Sequence, residues 1–238
     1  MSVVLAFDTA TAATVVGLAT DGGVLSRRDD PPAGARPNHA ERLLGLCEEL
    51  LAEAGAVWGD VARIGVGVGP GTFTGLRIGV ATARALAQGC GAELAPTSTL
   101  EALALGGRVR EADFYPERHS YLAVLDARRA EVFTASWAPN MHRLTEPVPI
   151  APDRITEVIH SSYQPWLGVG DGAVRYRAQL EAAGVTVPPD DSPLHRVDGA
   201  VLTRLALAVD PAPPATLVPD YLRLPDAEIA RRKEPAAR

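Results

Sequence analysis

Residues 63–79 read Arg63-Ile-Gly-Val-Gly-Val-Gly-Pro-Gly-Thr-Phe-Thr-Gly-Leu-Arg-Ile-Gly79. The stretch begins as a short apolar run, breaks into glycines and a proline, and resumes with helical spacing from about Thr74. A strand that passes through a glycine turn into a helix is typical of anion-binding sites, because free backbone N–H groups and a helix N-terminus point the same way. The missing side-chain bulk would equally let another helix or chain approach closely. Both interpretations are open at this point.

The helix predicted from Thr74 to Gln88 carries a ridge of small residues at intervals of four. These residues are Gly75, Gly79, Ala83 and Ala87. Such a ridge lets a neighbouring element approach to the short end of the usual 8–10 Å interhelical range. The neighbour is either the chain's own sheet or a helix of a partner.

A second helix is predicted just upstream, from Asn38 to Gly55. Asn38 is a candidate N-cap, and Glu41 three residues later completes the pattern of a capping box. An apolar stripe at i, i+3 and i+4 spacing is predicted to face the core. It comprises Ala40, Leu43, Leu44, Cys47, Leu50, Leu51 and Ala54. Leu46 lies off this stripe, which leaves apolar surface for a partner.

The two halves of the chain repeat one plan. An apolar strand at residues 3–7 ends in Asp8, turns and returns, and residues 121–137 do the same around Asp126. Each unit is followed by a strand, a glycine turn and a helix, at residues 61–88 and 166–183. The repetition predicts a duplicated α/β fold with lobes at 1–107 and 108–238, joined by a link that starts at Gly106. The segment from Pro219 to Pro225 is predicted to dock, packing back on the N-terminal lobe.

The net charge and the distribution of apolar residues exclude some classes of function. A formal net charge of −6 argues against unaided binding of nucleic acid, which needs a basic surface. No apolar run approaches the length of a membrane span, and the N-terminus lacks a basic region of the kind that opens a signal peptide. Cys47 and Cys90 are predicted to be reduced thiols. We therefore expect a cytoplasmic protein with no membrane association.

Several segments carry a family resemblance. Leu5-Ala-Phe-Asp8-Thr-Ala-Thr, Asn38-His-Ala-Glu-Arg-Leu-Leu and Gly67-Val-Gly-Pro-Gly-Thr-Phe-Thr-Gly-Leu-Arg-Ile-Gly79 resemble the bacterial TsaB family, as do Asp126-Ala-Arg-Arg and Pro219-Asp-Tyr-Leu-Arg223. These motifs span nearly the whole chain. The resemblance implies a two-lobed actin-like ATPase fold (the ASKHA superfamily, ribonuclease H-like), with duplicated mixed-sheet lobes and flanking helices.

The resemblance also implies a function. TsaB proteins are non-catalytic partners of TsaD, which with TsaE makes N6-threonylcarbamoyladenosine at position 37 of tRNA; tRNA is reached through the complex. Family members pair with TsaD, or as homodimers when alone, mostly through the first two helices of the N-terminal lobe. The expected interface residues here are Asn38, His39, Arg42, Leu46, Gly75, Arg77, Gly79, Ala83 and Ala87.

Catalytic patterns are missing from the sequence. No histidine has another three or four residues away, so the i, i+4 histidine pair with which related catalytic subunits hold a metal is absent, and we predict neither a metal site nor catalytic residues. His39 is predicted to face solvent or a partner. The second hairpin, Asp126-Ala-Arg-Arg129, has bulky side chains where a phosphate would approach a glycine turn. No Lys-Ser or Lys-Thr follows the first glycine turn as in a P-loop.

A nucleotide-binding alternative stays open at this point. An independent actin-like kinase or ATPase would use Asp8 for Mg²⁺ and the glycine turns for phosphate. Its candidate anion-binding residues are Asp8, Thr9, Gly69, Gly71 and Thr72. Otherwise we expect no tightly bound cofactor, with ATP or ADP confined to the interface of the complex. A homodimeric interaction module without a link to tRNA is a third hypothesis. The missing P-loop lysine, the arginines of the second hairpin and the small-residue ridge together favour a glycine turn that presents the ridged helix to a partner.

Overall fold

The structure is a computed structural model that describes residues 3–32, 34–115 and 117–222. Its ten strands within these ranges are β1 (Val3–Asp8), β2 (Thr14–Thr20), β3 (Gly23–Asp29), β4 (Val61–Gly69), β5 (Glu93–Ser98), β6 (Ser120–Arg128), β7 (Glu131–Trp137), β8 (Val148–Ile150), β9 (Trp166–Val169) and β10 (Val185–Thr186). The six α-helices in the same ranges are α1 (His39–Glu53), α2 (Phe73–Cys90), α3 (Thr99–Arg110), α4 (Asp171–Arg175), α5 (Arg177–Ala182) and α6 (Gly199–Ala208). None of the described helices has the length and apolar character needed to cross a bilayer.

The strands form two five-stranded sheets of identical plan. The first sheet has the order β3-β2-β1-β4-β5, and the second has the order β8-β7-β6-β9-β10. In each, the first strand pairs antiparallel with its hairpin partner and parallel with the strand that leads into the glycine turn, β4 or β9. The duplicated, actin-like α/β architecture expected from the sequence is confirmed.

Three apolar clusters hold these layers together. Residues of β1 and β2 meet α3, α6 and strands β6 and β7 in a central cluster that joins the two halves. A second cluster lies between the other face of the first sheet and helices α1 and α2. A third covers the outer face of the second sheet, under α4 and α5. Helices α1 and α2, which were expected to bind a partner, are therefore on the outside of the N-terminal half, away from the central cluster.

The C-terminal part of the chain packs on the first sheet. Helix α6 lies against β1, β2 and β4, with Gly199 in close contact with the backbone of Gly17. Beyond it, the N–H of Ala212 donates to the carbonyl of Leu94 (2.8 Å), and the N–H of Asp220 donates to that of Val68 (2.7 Å). We call residues 211–222 the C-terminal strap. The expected docking segment lies partly here, and its residues 223–225 fall outside the described part of the chain.

The predicted link at Gly106-Gly107 is wrong, because α3 continues through both glycines to Arg110. A Cβ on Gly107 would lie 3.3 Å from the ring of Tyr121 and 3.4 Å from Val169, so this glycine lets α3 approach the second sheet closely. Strand β5 runs through Pro96. It is the edge strand of its sheet, and an edge position tolerates the missing N–H of proline. The lobe division at residue 107 stays a prediction.

Candidate partner-binding surface and glycine turn

The glycine turn between β4 and α2 packs on the turn that joins β1 to β2. The N–H of Thr72 donates to the carbonyl of Ala10 (2.7 Å). A Cβ on Gly71 would lie 2.5 Å from the Cβ of Ala10, so a larger residue would push the two turns apart. Gly69 has a φ of +122°, a conformation that favours glycine. At least one backbone donor that a bound anion would use is therefore already engaged inside the chain.

The small-residue ridge of α2 faces the chain's own first sheet. Thr9, which is fully buried, donates from Oγ1 to the carbonyl of Gly75 (2.8 Å). A Cβ on Gly79 would lie 2.5 Å from the same Oγ1. Ala83 and Ala87 are buried in the cluster between the helix and the sheet. The expectation that these four residues form a bare face for a partner is corrected: their small size lets α2 settle on β1 and β4.

Asp8 is a buried carboxylate whose oxygens are bonded within the chain. Oδ1 accepts from the N–H of Ala10 (2.7 Å), and Oδ2 accepts from the hydroxyl of Thr99 (2.7 Å). Burial raises the pKa of Asp8, and the hydrogen bonds from Thr99 and Ala10 and the charge of Arg28 oppose that shift. The side chain ties the end of β1 to the start of α3. This arrangement gives a structural explanation for the aspartate that the kinase or ATPase alternative would use to hold Mg²⁺.

The second hairpin is held together by charged side chains. Asp126 accepts from Nη1 of Arg175 (3.0 Å) and, through its other oxygen, from the N–H of Arg128 (3.0 Å). Arg128, Arg129 and Ala130 all have positive φ, so the tight turn is built from non-glycine residues in the left-handed region. Two arginines therefore form this turn, as expected from the sequence for a hairpin with bulky side chains and no glycine.

A small cavity lies where the two hairpins approach each other. Its volume is about 120 Å³, below the roughly 300–1,000 Å³ of ordinary ligand pockets. The charged or titratable residues that line it are Arg28, Asp30, Asp171, His195 and Arg196. His195 accepts from the N–H of Gly170 at Nδ1 (3.2 Å) and donates from Nε2 to the carbonyl of Pro188 (3.1 Å), which is the neutral tautomer. Burial lowers the pKa of His195 and keeps it neutral.

Helix α1 presents an acidic outer face around one exposed leucine. Leu44 is 44% exposed, whereas Leu46 is buried in the cluster under the helix. The interpretation of Leu46 as a partner residue is therefore wrong, because the helix is rotated relative to the predicted stripe. The exposed residues of this face are Glu41, Leu44, Glu48, Glu49 and Ala52.

The start of α1 also differs from expectation. His39 is 3% exposed, and its Nδ1 lies 2.9 Å from the hydroxyl of Thr14, so the histidine faces neither solvent nor partner. Burial lowers the pKa of His39, and the Thr11 backbone and Asp29 partly oppose this. Asn38 is exposed and bonds to the Glu41 side chain (2.6 Å), so it makes no capping bond to the backbone.

Helix α2 presents a basic outer face. The exposed residues of the helix are Thr74, Arg77, Ala81, Arg84, Ala85, Gln88 and Gly89. The Arg77 guanidinium lies 3.7 Å from the centroid of the Phe73 ring, and its Nε donates to the hydroxyl of Tyr221 (3.1 Å). The C-terminal strap thus fixes the one arginine in the first turn of this helix. Arg42 of α1 is paired with Asp29 (3.0 Å), so it adds little free positive charge to the neighbouring acidic face.

The outer faces of α1 and α2 together form a self-complementary surface, which we call the two-helix face. Helix α1 contributes Glu48 and Glu49, and α2 contributes Arg84 and contains no acidic residue. A two-fold axis that runs between the two helices and along them would bring the acidic helix of each protomer against the basic helix of the other. Of the interface residues expected from the sequence, Arg77 lies on this surface, whereas Asn38 precedes α1 and the half-buried Arg42 points to Asp29. Leu44, Ala81 and Arg84 lie on the surface and were not among the expected residues.

Metal-binding geometry is not found in the residues that the structure describes. No group of three or more histidine, cysteine, aspartate or glutamate side chains lies close enough to hold an ion there.

Comparison with known proteins gives concordant matches. Residues 19–183 match the family model described as TsaD: tRNA N6-adenosine threonylcarbamoyltransferase. The tRNA threonylcarbamoyladenosine biosynthesis protein TsaB of Escherichia coli is 32% identical over 174 residues, which is 71% of each chain. The protein of the same name from Bacillus subtilis is 29% identical over 81% of this chain and 83% of its own. A Pseudomonas aeruginosa structure titled as similar to peptidase YEAZ superposes with a TM-score of 0.75, at 28% identity, over 94% of this chain and all of its own.

Proposed function

The chain belongs to the TsaB family, and on that basis we propose that it is a non-catalytic subunit that pairs with TsaD and TsaE in threonylcarbamoyladenosine biosynthesis. The resemblance read from the sequence is confirmed at the level of the family. The finer role is our proposal. In it, TsaD transfers the threonylcarbamoyl group to adenosine 37, this chain supports that step by binding TsaD, and tRNA meets the chain only through the complex.

The observation that carries the non-catalytic role is the internal use of the groups that would bind nucleotide. Asp8 is buried and bonded to Thr99 and Ala10, and the Thr72 N–H is bonded to Ala10. The cavity between the hairpins, at about 120 Å³, is small for an adenine nucleotide. In this proposal, ATP or ADP binds at the interface of the complex. The alternative of an independent kinase or ATPase has no observation in its favour.

The two-helix face is the surface that we propose for TsaD, and for a second copy of the chain when TsaD is missing. It is exposed, it carries Leu44 at its centre, and its acidic and basic helices offer both signs of charge to a partner. Aliphatic surface surrounded by charge is common at interfaces that form and dissociate. TsaE would join the assembled pair.

Size-exclusion chromatography with light scattering tests the pairing. The chain is mixed with the TsaD of its own organism, and we expect a heterodimer that Arg84→Glu weakens at least tenfold. The matched control is Arg154→Glu, which makes the same charge change at an exposed residue that is paired with Glu157, in the second half of the chain. Equal weakening by both variants, or by neither, would contradict the proposed surface.

A cellular measurement tests the role itself. When the protein is depleted, we expect the threonylcarbamoyladenosine content of tRNA to fall, as measured by nucleoside mass spectrometry. Re-expression of the wild-type chain and of Arg154→Glu should restore it, and Arg84→Glu should restore less. Undiminished modification after depletion, together with no association with TsaD, would refute the proposal.

A further inference from the structure

A groove that lies apart from the two-helix face has no part in the function proposed above. It lies between the last turns of α3 and α6 and the loop after β7, and its volume is about 530 Å³. It is lined by Leu105, Arg108, Val109, Pro139, Asn140, Met141, Arg204, Leu205 and Ala208. A volume of this size falls within the range of about 300–1,000 Å³ in which proteins bind small ligands and peptide side chains.

The walls of the groove are fixed before anything binds. Arg108 donates from Nε to the carbonyl of Pro139 (3.0 Å), which joins the end of α3 to the loop after β7. Within that loop, the N–H of Met141 donates to the carbonyl of Ala138 (2.9 Å), and the N–H of Ala138 donates to that of His142 (2.9 Å). A groove with rigid walls loses less conformational entropy on binding than a mobile one.

The charge of the groove is opposite to that of the chain. The formal net charge is −6, yet the described lining holds two arginines and no acidic residue. Arg108 lies 3.7 Å from the buried carboxylate of Glu111, which offsets part of its charge. Arg204 is exposed, and no acidic residue in the described part of the chain pairs with it. The remaining positive charge therefore favours a ligand that carries a carboxylate.

The apolar surface continues past the groove itself. Val109 on its rim is 51% exposed, and Leu207, one turn from Arg204 on α6, is 58% exposed. A small molecule seated in the groove would leave these side chains in water. An extended segment of polypeptide could cover them while placing its carboxylates near the arginines.

We propose that this groove, lined by Arg108, Arg204 and the apolar side chains between them, is a docking site for a peptide segment of another protein that alternates apolar and acidic residues. The site is separate from the two-helix face, so a protein bound there could join the chain while TsaD occupies the other surface. The proposal does not depend on the function proposed above.

The test titrates the full-length, isotope-labelled chain with two synthetic peptides and follows backbone amide shifts by NMR. The first peptide is acetyl-Leu-Asp-Leu-Glu-Leu-Asp-amide, and the second replaces each acid by its amide, as Asn or Gln. We expect the acidic peptide to shift resonances of residues 105–109, 139–141 and 204–208, and the amide peptide to bind at least fivefold more weakly. Equal binding of the two peptides, or shifts confined to other regions, would overturn the proposal.

Charge reversal at the groove supplies the control for specificity. Arg204→Glu should weaken the acidic peptide at least fivefold and improve binding of a third peptide in which Lys replaces each acid. Arg154→Glu should change neither. Because a gain in affinity needs a folded protein, the reversal distinguishes a docking site from a variant that fails to fold. Unchanged affinity of Arg204→Glu for the acidic peptide would refute the assignment.

The same NMR spectra distinguish two other possible occupants of the groove from a peptide of another protein. If a second copy of the chain fills the groove, its resonances will shift on dilution of the wild-type chain without peptide. If the chain's own C-terminal acids fill it, the combined change Asp226→Asn, Glu228→Gln and Glu234→Gln will shift the same resonances without peptide. Either result would overturn a docking site for another protein, and unchanged spectra in both experiments support it.

Discussion

The free energies of unfolding of Gly79→Ala and of a compensating variant at Thr9 test whether the small residues of α2 face the chain's own sheet. In the wild-type background the new Cβ would lie 2.5 Å from Thr9 Oγ1, and its next neighbours are 3.7 Å or more away. Overpacking of this kind costs about 1–3 kcal/mol, whereas alanine in place of glycine inside a helix contributes about 0.8–1 kcal/mol. We therefore expect Gly79→Ala to lower the free energy of unfolding by about 1 kcal/mol.

Gly79→Ala should change the free energy of unfolding in the opposite direction when residue 9 is alanine. Thr9→Ala removes the Oγ1 that the new methyl group would meet, although loss of its hydrogen bond to Gly75 costs about 1 kcal/mol by itself. Gly79→Ala should then raise the free energy of unfolding by about 1 kcal/mol from helix propensity. The coupling energy between the two sites is thus about 2 kcal/mol, well above the deviations of a few tenths of a kcal/mol seen for independent sites.

Urea unfolding of the four proteins, followed by circular dichroism, measures this coupling. Midpoints convert into free energies if the denaturant slope is unchanged among the variants. Gly89→Ala is the matched control, because it lies on the same helix with no atom within 4 Å of its added Cβ. It should be neutral or slightly stabilising in both backgrounds. A coupling energy near zero, or a Gly79→Ala protein of wild-type stability that no longer binds TsaD, would refute an inward ridge.

Three further predictions concern buried groups and the C-terminal strap. Because burial raises the folded-state pKa of Asp8, ionisation of Asp8 destabilises the wild-type chain, so the stability of Asp8→Asn relative to wild type should increase as pH rises from 3.8 through the folded pKa and level off above it; a difference in unfolding free energy independent of pH would contradict it. Burial raises the pKa of Cys47 to about 12, so a thiol reagent at pH 8 should modify Cys90 in the native chain and Cys47 only on unfolding; rapid loss of both thiols in the native chain would contradict this. Leu217→Ala should lower the unfolding free energy by about 2–4 kcal/mol, because Leu217 is 2% exposed and lies in the cluster under α1 and α2. Tyr221→Phe, which removes only the hydroxyl that Arg77 contacts, should lower it by less than about 1 kcal/mol. Equal losses in urea unfolding would show that the buried leucine does not hold the strap.

The duplicated plan of the fold was readable from the sequence because it depends on local chemistry. A continuous apolar run that ends in Asp8 or Asp126, and a strand that breaks into alternating glycines, each specify an element within about ten residues. The helix bounds were also close, since α2 begins at Phe73 and ends at Cys90, within two residues of the prediction at each end. Where neighbours in sequence decide the structure, the prediction was accurate.

Which face of each helix is buried was harder to predict from the sequence. Four small residues at intervals of four show that something approaches α2 closely, but the spacing does not say whether it is the chain or a partner. That is decided by Thr9, which lies 66 residues upstream of Gly75 and reaches it only in the folded chain. On α1, Leu44 and Leu46 are both leucines within one turn, and only the packing of the helix on β2 distinguishes the exposed one from the buried one.

The position of α6 has a consequence for how the protein is made. This helix is translated after residue 198, yet it covers β1, β2 and β4, which emerge from the ribosome first. At about 5–20 residues per second, the interval between the end of β5 and the end of α6 lasts about 5–20 seconds. During that time the apolar surface that α6 covers in the folded chain lacks this helix, although α3 can already pack on β4 and β5. The N-terminal half therefore depends on the C-terminal half for part of its core, and we expect a chain released by a ribosome that stalls between α3 and α6 to be prone to aggregation.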